Sequence, residues 1–160
     1  MTGRPMSRAD YLGAAARAMT EAQLLEAVLG TPRKPGLALA LGWLGYHTHR
    51  SQHSPAGFPD LALVHPRAGR LIFAELKRER RGKRDDPTEA QLEWLNALNV
   101  VGDAITGDLI AGLGELRASD HPTRVIALTW RPSDLLSGVI EANLRTDTPS
   151  PGLALPPRVR

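Results

Sequence analysis

Two short apolar runs, Leu61 to Val64 and Leu71 to Leu76, stand six residues apart, and the gap holds the turn formers Pro66 and Gly69. Runs this short, bounded by turn chemistry, are too brief for helices and read as two adjacent strands of a hairpin. A hairpin alone has too little core to be stable, so the flanking segments must cover it. Upstream, the pattern predicts a helix from about Arg17 to Leu29, stopped by Gly30, Pro32 and Pro35. A second helix is expected through Leu37 to Leu44, then a strand at Tyr46 to His49.

Downstream, Asp86-Pro87-Thr88-Glu89 reads as a helix start, with Asp86 as N-cap, Pro87 at the first turn and Glu89 closing a capping box. That helix is expected to run to about Asn99. Residues 102 to 123 are glycine-rich and leave room for one helix around Asp108 to Leu116. Val125 to Trp130 is a further strand candidate, and Ser133 to Leu144 a closing helix with Ser133 as cap. The order is helices, three strands, helix, strand, helix, with no internal repeat. It predicts an α/β chain with a small mixed β-sheet flanked by helices. Residues 1–12 and 145–160 are polar or proline-rich and are expected to be flexible tails around one domain at 13–144.

Composition narrows the function classes. Among 160 residues there is no cysteine, which excludes disulfides, thiolate zinc sites and cysteine nucleophiles and fits a cytoplasmic setting. The longest apolar stretch, Leu37 to Leu44, is far below membrane-spanning length, so no membrane partner is expected. Net charge is only +3, yet Lys77, Arg78, Arg80, Arg81, Lys83 and Arg84 crowd into eight residues. A cluster of this density attracts polyanions, nucleic acid above all, although a solvated basic loop has the same composition.

The chemistry concentrates on Asp60, Glu75 and Lys77. Asp60 opens one strand of the hairpin and Glu75 and Lys77 end the other, so the three can converge at one sheet edge. Residues 75 and 77 share a face while Leu76 points into the apolar side. Two converging carboxylates repel unless a cation intervenes, and a hard divalent ion with oxygen ligands is the usual solution. Only 3 of the 20 basic residues are lysine, so a lysine at this position favours a role for its point charge and titratable amine, such as holding an attacking water. The alternative is a salt-bridged strand end.

Gly57-Phe58-Pro59-Asp60 with Glu75-Leu76-Lys77 and Gln91 resembles the VRR-NUC branch of the PD-(D/E)XK nucleases. The stretches Gly42 to His47 and Trp130 to Asp134 are similar to stand-alone bacterial and phage members, and the resemblance covers roughly residues 19 to 141. It implies a restriction-endonuclease-like core and metal-dependent hydrolysis of DNA phosphodiesters with Mg²⁺ or Mn²⁺, leaving a 5′-phosphate. Asp60, Glu75 and the Leu76 carbonyl would be ligands, with Lys77 and Gln91 positioning water.

The family's upstream helical glutamate would be Glu21 or Glu26. Leu24, Leu25 and Val28 lie within about 60° of Glu21 on a helical wheel and Glu26 about 140° away, so Glu21 is chosen as the one an apolar stripe would make costly without a partner. Gln91 shares its helix face with Trp94, Leu95 and Leu98 in the same way. Arg78, Arg80, Arg81, Lys83 and Arg84 are candidate DNA contacts, and His47 and Arg131 are further candidates. His47, His49 and His53 together are weaker candidates for a metal cluster. Many short stand-alone relatives look like Holliday-junction resolvases acting as homodimers, an arrangement that the size of this chain permits. The rival readings are a non-catalytic DNA-binding or adaptor domain on the same fold, and an RNA- or DNA-end-directed nuclease.

Overall fold

A computed structural model describes residues 6–48, 55–113 and 125–145. It shows a mixed α/β chain with a small mixed sheet flanked by helices. The expected N-terminal tail is shorter than residues 1–12, because helix α1 (Arg8–Ala18) already begins at a Ser7 cap. The Ser7 hydroxyl accepts from the Asp10 N–H at 3.1 Å and the Asp10 carboxylate reaches back to Ser7, a reciprocal capping box. The other expected tail beyond Arg145 lies outside the described residues.

The helix expected at 17–29 is in fact two pieces. Thr20 caps α2 (Glu21–Leu29) through a box with Gln23, and Met19 between the helices is extended. Leu24 and Val28 carry the buried stripe of α2. A two-residue ribbon follows, β1 (Gly30–Thr31) against β2 (Lys34–Pro35). The second helix, α3 (Leu37–Ala40), is a single turn rather than the run to Leu44. Gly42 at φ +88° ends it, and the turn drops Trp43 into the core, where its indole N–H donates to the Leu144 carbonyl at 2.8 Å.

Strand β3 (Leu44–His47) pairs antiparallel with β4 (Leu61–His65), which forms the expected hairpin with β5 (Arg70–Leu76). β6 (Val125–Trp130) lies parallel to β5, giving the order β3-β4-β5-β6. A parallel pair needs a crossover, and α4 (Glu89–Leu113) supplies it. The helix therefore runs well beyond Asn99, while residues 114–124 lie outside the described residues. α4 is fixed to the outer edge of β6 by one side chain: the Asn99 amide donates to the Ala127 carbonyl and accepts from its N–H, both at 2.8 Å.

The closing helix is broken into α5 (Pro132–Leu136) and α6 (Val139–Leu144) by Gly138 at φ +84°. Its cap position is Arg131 rather than Ser133, with the Asp134 carboxylate accepting from the Arg131 N–H at 2.8 Å.

Side-chain alternation divides the sheet into two unlike faces. Leu61, Leu63, Ile72, Ala74, Leu76 and Trp130 point to one side, where Leu24, Val28, Trp43, Ile140 and Leu144 close the core over them. Full burial of side chains of this size contributes roughly 1.5–3 kcal/mol each. On the other face α4 packs against β6 and, more lightly, β5.

Candidate active site

The site forms where β3 and β5 end and β4 begins. Asp60 immediately precedes β4, held by the buried Pro59 before it and by its own carbonyl, which accepts from the Thr48 N–H at 3.0 Å. Its carboxylate Oδ2 accepts from the Leu76 N–H at 2.8 Å, so the side chain ties the start of β4 to the end of β5. The preceding turn needs Gly57. Its φ is +86°, and a Cβ there would stand 2.4 Å from the Ala90 carbonyl carbon, so only a glycine lets this loop lie against α4. Phe58 completes the contact, edge-to-face with Phe73 and Trp94 at centroid distances of 6.0 and 5.1 Å.

Glu75 is 1% exposed. Its Oε1 accepts from Lys77 Nζ at 2.9 Å and from Gln91 Nε2, while its Oε2 is buried with no hydrogen-bond partner among the described residues. Burial pushes the Glu75 carboxyl up to about 7, with the Asp60 charge adding to the rise and Lys77 opposing it. Leu76 between them is buried in the core, as the alternation predicts, and the Lys77 N–H continues the β5–β6 ladder by donating to the Trp130 carbonyl at 3.0 Å.

Gln91 arrives from α4, whose start differs from the one expected. Asp86 does not cap the helix and Glu89 does not close a box. Thr88 is the cap: its N–H donates to Gln91 Oε1 at 2.8 Å and its hydroxyl accepts from the Gln91 N–H at 3.3 Å. One end of the Gln91 amide thus serves the helix terminus and the other serves Glu75. Asp86 is drawn away by Arg80, which binds its carboxylate through two nitrogens at 2.8 and 3.0 Å and holds it below the usual carboxylate range.

Glu21 is placed differently from the other acids. As the first residue of α2 it is exposed rather than set in the apolar stripe, and its Oε1 accepts from the Arg78 N–H at 3.2 Å. It therefore lies beside the end of β5 without joining Asp60 and Glu75. Among the described residues no group of three or more acidic, histidine or cysteine side chains is arranged to hold a metal. His47 does not face the acids either. It pairs opposite the core residue Leu61, whereas Thr48, on the other face, lies beside Asp60. His49 and His53 lie outside the described residues.

The basic segment after Lys77 is a fastened loop. Arg131 Nη1 donates to the Arg78 carbonyl at 2.5 Å, and its Nη2 donates to the Asp85 carbonyl at 2.9 Å and reaches Asp86 Oδ1 at 3.4 Å. Arg81 donates from its guanidinium to the Arg17 carbonyl and from its main chain to Asp85 Oδ2 at 2.9 Å. Glu79 accepts from the Ser133 N–H at 3.1 Å. Arg78, Lys83 and Arg84 are exposed and form no ion pair among the described residues. The six cations therefore divide into ties and free charges. The ties were missed in the sequence; the clue available was Asp85-Asp86, an acidic pair closing a basic run.

The donor set suits a hard cation in one respect. Two carboxylates lie side by side, and one buried oxygen is left without a partner among the described residues, which is costly unless something positive meets it. Mg²⁺ keeps several of its waters and is commonly held by one or two carboxylates, the number that Asp60 and Glu75 supply. No helix among the described residues is long and apolar enough to cross a membrane. Comparison with family models, curated proteins and solved structures finds no match to this chain.

Proposed function

We propose that this chain is a divalent-cation-dependent nuclease that hydrolyses DNA phosphodiesters at Asp60, Glu75 and Lys77, on the restriction-endonuclease-like core of the VRR-NUC type. The observation that carries the reading is Glu75. A carboxylate this buried, clamped on one oxygen by Lys77 and Gln91 and left unsatisfied on the other, is destabilising as a purely structural feature. A salt-bridged strand end would place the pair in water or satisfy both oxygens. Perturbed buried acids of this kind concentrate where chemistry is done. The element order, with a helix, an antiparallel β3-β4-β5 unit, the α4 crossover and parallel β6, supports the same core.

In this reading Asp60 and Glu75 would hold Mg²⁺ or Mn²⁺, which when bound would polarise the phosphoryl oxygen and stabilise charge on the leaving oxygen. Lys77 Nζ holds the attacking water beside the phosphorus. Gln91 holds Glu75 Oε1 beside Lys77, which leaves the buried Oε2 as the oxygen for the cation, and it is a positioning residue. Arg78, Lys83 and Arg84 engage flanking phosphates, which sets affinity and not sequence choice. Arg131 acts on DNA through the loop it fastens.

The test is cleavage of linear duplex, single-stranded, flap and four-way-junction DNA in Mg²⁺ or Mn²⁺, against EDTA and against Lys77→Ala. Metal-dependent products that vanish in Lys77→Ala support the assignment. Products that persist at wild-type rate in the variant overturn it.

A further inference from the structure

The half of the sheet that α4 leaves uncovered is apolar. Leu44 on β3 lies opposite Val64 on β4, and the next row on the same face is Tyr46 and Ala62, bordered on β5 by Leu71 and by Phe73, which already packs on Phe58. Leu44, Tyr46 and Val64 are 60%, 64% and 41% exposed, so large apolar side chains line a surface strip on two adjacent strands. Alternation puts Thr48, Asp60 and Glu75 in the row beyond Tyr46, on this same face. Strand geometry sets Tyr46 one strand across and two residues along from Asp60, about 8 Å between their α-carbons.

Charge defines what this strip can receive. The acid pair stands at its near end, and the loop that leaves β5 there carries Arg78, Lys83 and Arg84, whose charges no ion pair among the described residues engages. Arg67, in the β4–β5 turn at the far end, is also exposed and without an ion pair among the described residues. An apolar aromatic strip with cations at both ends matches an unpaired nucleic-acid strand, whose phosphates meet the cations while its bases lie on the apolar surface. A duplex hides its base faces and offers this strip nothing.

We propose that the β3–β4 face is a stacking platform for unpaired DNA bases next to the cleaved phosphodiester, with Tyr46 carrying a base. This rests on the nuclease reading and names the substrate class for it: DNA with a single-stranded segment at the scissile position. Tyr46 is a side chain on an edge strand with most of its surface in water, so its replacement leaves the core intact.

The experiment is fluorescence anisotropy in EDTA, where no cleavage occurs, with a labelled single-stranded oligodeoxynucleotide and a labelled duplex. Tyr46→Ala should weaken single-strand binding by roughly 5- to 150-fold, the loss of one base–aromatic stack, and leave duplex binding unchanged. Tyr46→Phe should bind as wild type. An oligonucleotide with an abasic position should lose affinity for wild type and lose nothing further with Tyr46→Ala. Equal single-strand binding by Tyr46→Ala and wild type overturns the proposal, as does an equal loss on duplex. So does a wild-type oligomer that Tyr46→Ala converts to monomer in sedimentation, because the strip is then a contact between copies. Metal-dependent cleavage that is indifferent to Tyr46 removes this inference alone. Tyr46-dependent binding without cleavage in any metal removes the nuclease reading and leaves the platform.

Discussion

Gln91 Nε2 donates to Glu75 Oε1 while Gln91 Oε1 accepts from the Thr88 N–H at 2.8 Å, so one amide joins the start of α4 to the buried acid of β5. Removing it strikes both. Gln91→Ala is expected to cost about 1–2 kcal/mol of stability, since the acceptor for the Thr88 N–H and the donor to Glu75 disappear together while the Thr88 hydroxyl cap stays. Cleavage should fall with it, and Gln91→Glu should be worse on both measures, because it turns a donor into a second charge facing Glu75. Denaturant melts and single-turnover rates check this, and a Gln91→Glu variant as stable as wild type would refute the contact.

Glu75 makes stability depend on pH in an uncommon direction. Its carboxyl titrates at about 7 in the folded chain, raised mainly by burial, against an ordinary value of 4.5 unfolded. The unfolded chain therefore releases this proton first. Stability from this group is highest below the unfolded value and is lost as pH rises toward the folded one. In EDTA, wild type should melt lower at about pH 8.5 than at about pH 5.5 by an amount that Glu75→Gln abolishes. Glu75→Gln should also be more stable than wild type at the higher pH.

Asp60→Asn should gain less than Glu75→Gln in EDTA, on the order of 1 kcal/mol or below. It relieves the repulsion between the two acids, but the Asp60 carboxylate is also the acceptor for the Leu76 N–H at 2.8 Å, and an amide accepts more weakly than a carboxylate. Millimolar Mg²⁺ should reverse the order, raising the melting temperature of wild type by mass action and that of either variant much less. Equal Mg²⁺ responses in all three proteins would exclude these acids as ligands.

The loop cations should separate into two classes. Replacing Arg78, Lys83 and Arg84 by Ala should reduce the slope of log affinity against log salt by about 0.9 for each phosphate no longer neutralised, with little change in melting temperature. Replacing Arg80 and Arg81 should lower the melting temperature instead, because they bind Asp86 and the Arg17 carbonyl. Titration of duplex binding with salt decides between them.

Arg131→Ala should loosen the whole loop and weaken DNA binding although its guanidinium is turned inward. Arg131→Lys should restore little, since three directed bonds to Arg78, Asp85 and Asp86 need a planar fork. Proteolytic nicking between residues 78 and 86 gives a direct readout. Rescue by lysine would show that only the charge matters.

The hairpin, the strand at Val125 to Trp130 and the shared face of Glu75 and Lys77 were legible because each follows from local alternation. The helix ends were less so. Asp86 and Glu89 satisfy a capping pattern, but the Arg80 guanidinium competes for Asp86 and the helix begins at Thr88 instead. Glu21 was placed by a helical wheel that ignores position along the helix. At the first residue, a side chain on the apolar face still projects past the helix end into solvent. The inward use of Arg131 joins residues 46 to 53 apart in sequence, and no local pattern encodes it.

The parallel pairing of β5 with β6 also sets an order of events in folding. Leu71 to Leu76 meet Val125 to Trp130 across more than fifty residues, whereas β4 and β5 are joined by a short turn. Loop closure favours the near pairing first. Asp60 and Glu75 would then be brought together before Gln91 and the Arg131 fork have arrived. The acid pair is assembled early with Lys77 already beside it, and the burial of Glu75 under the completed crossover is the step at which this chain accepts its own repulsion.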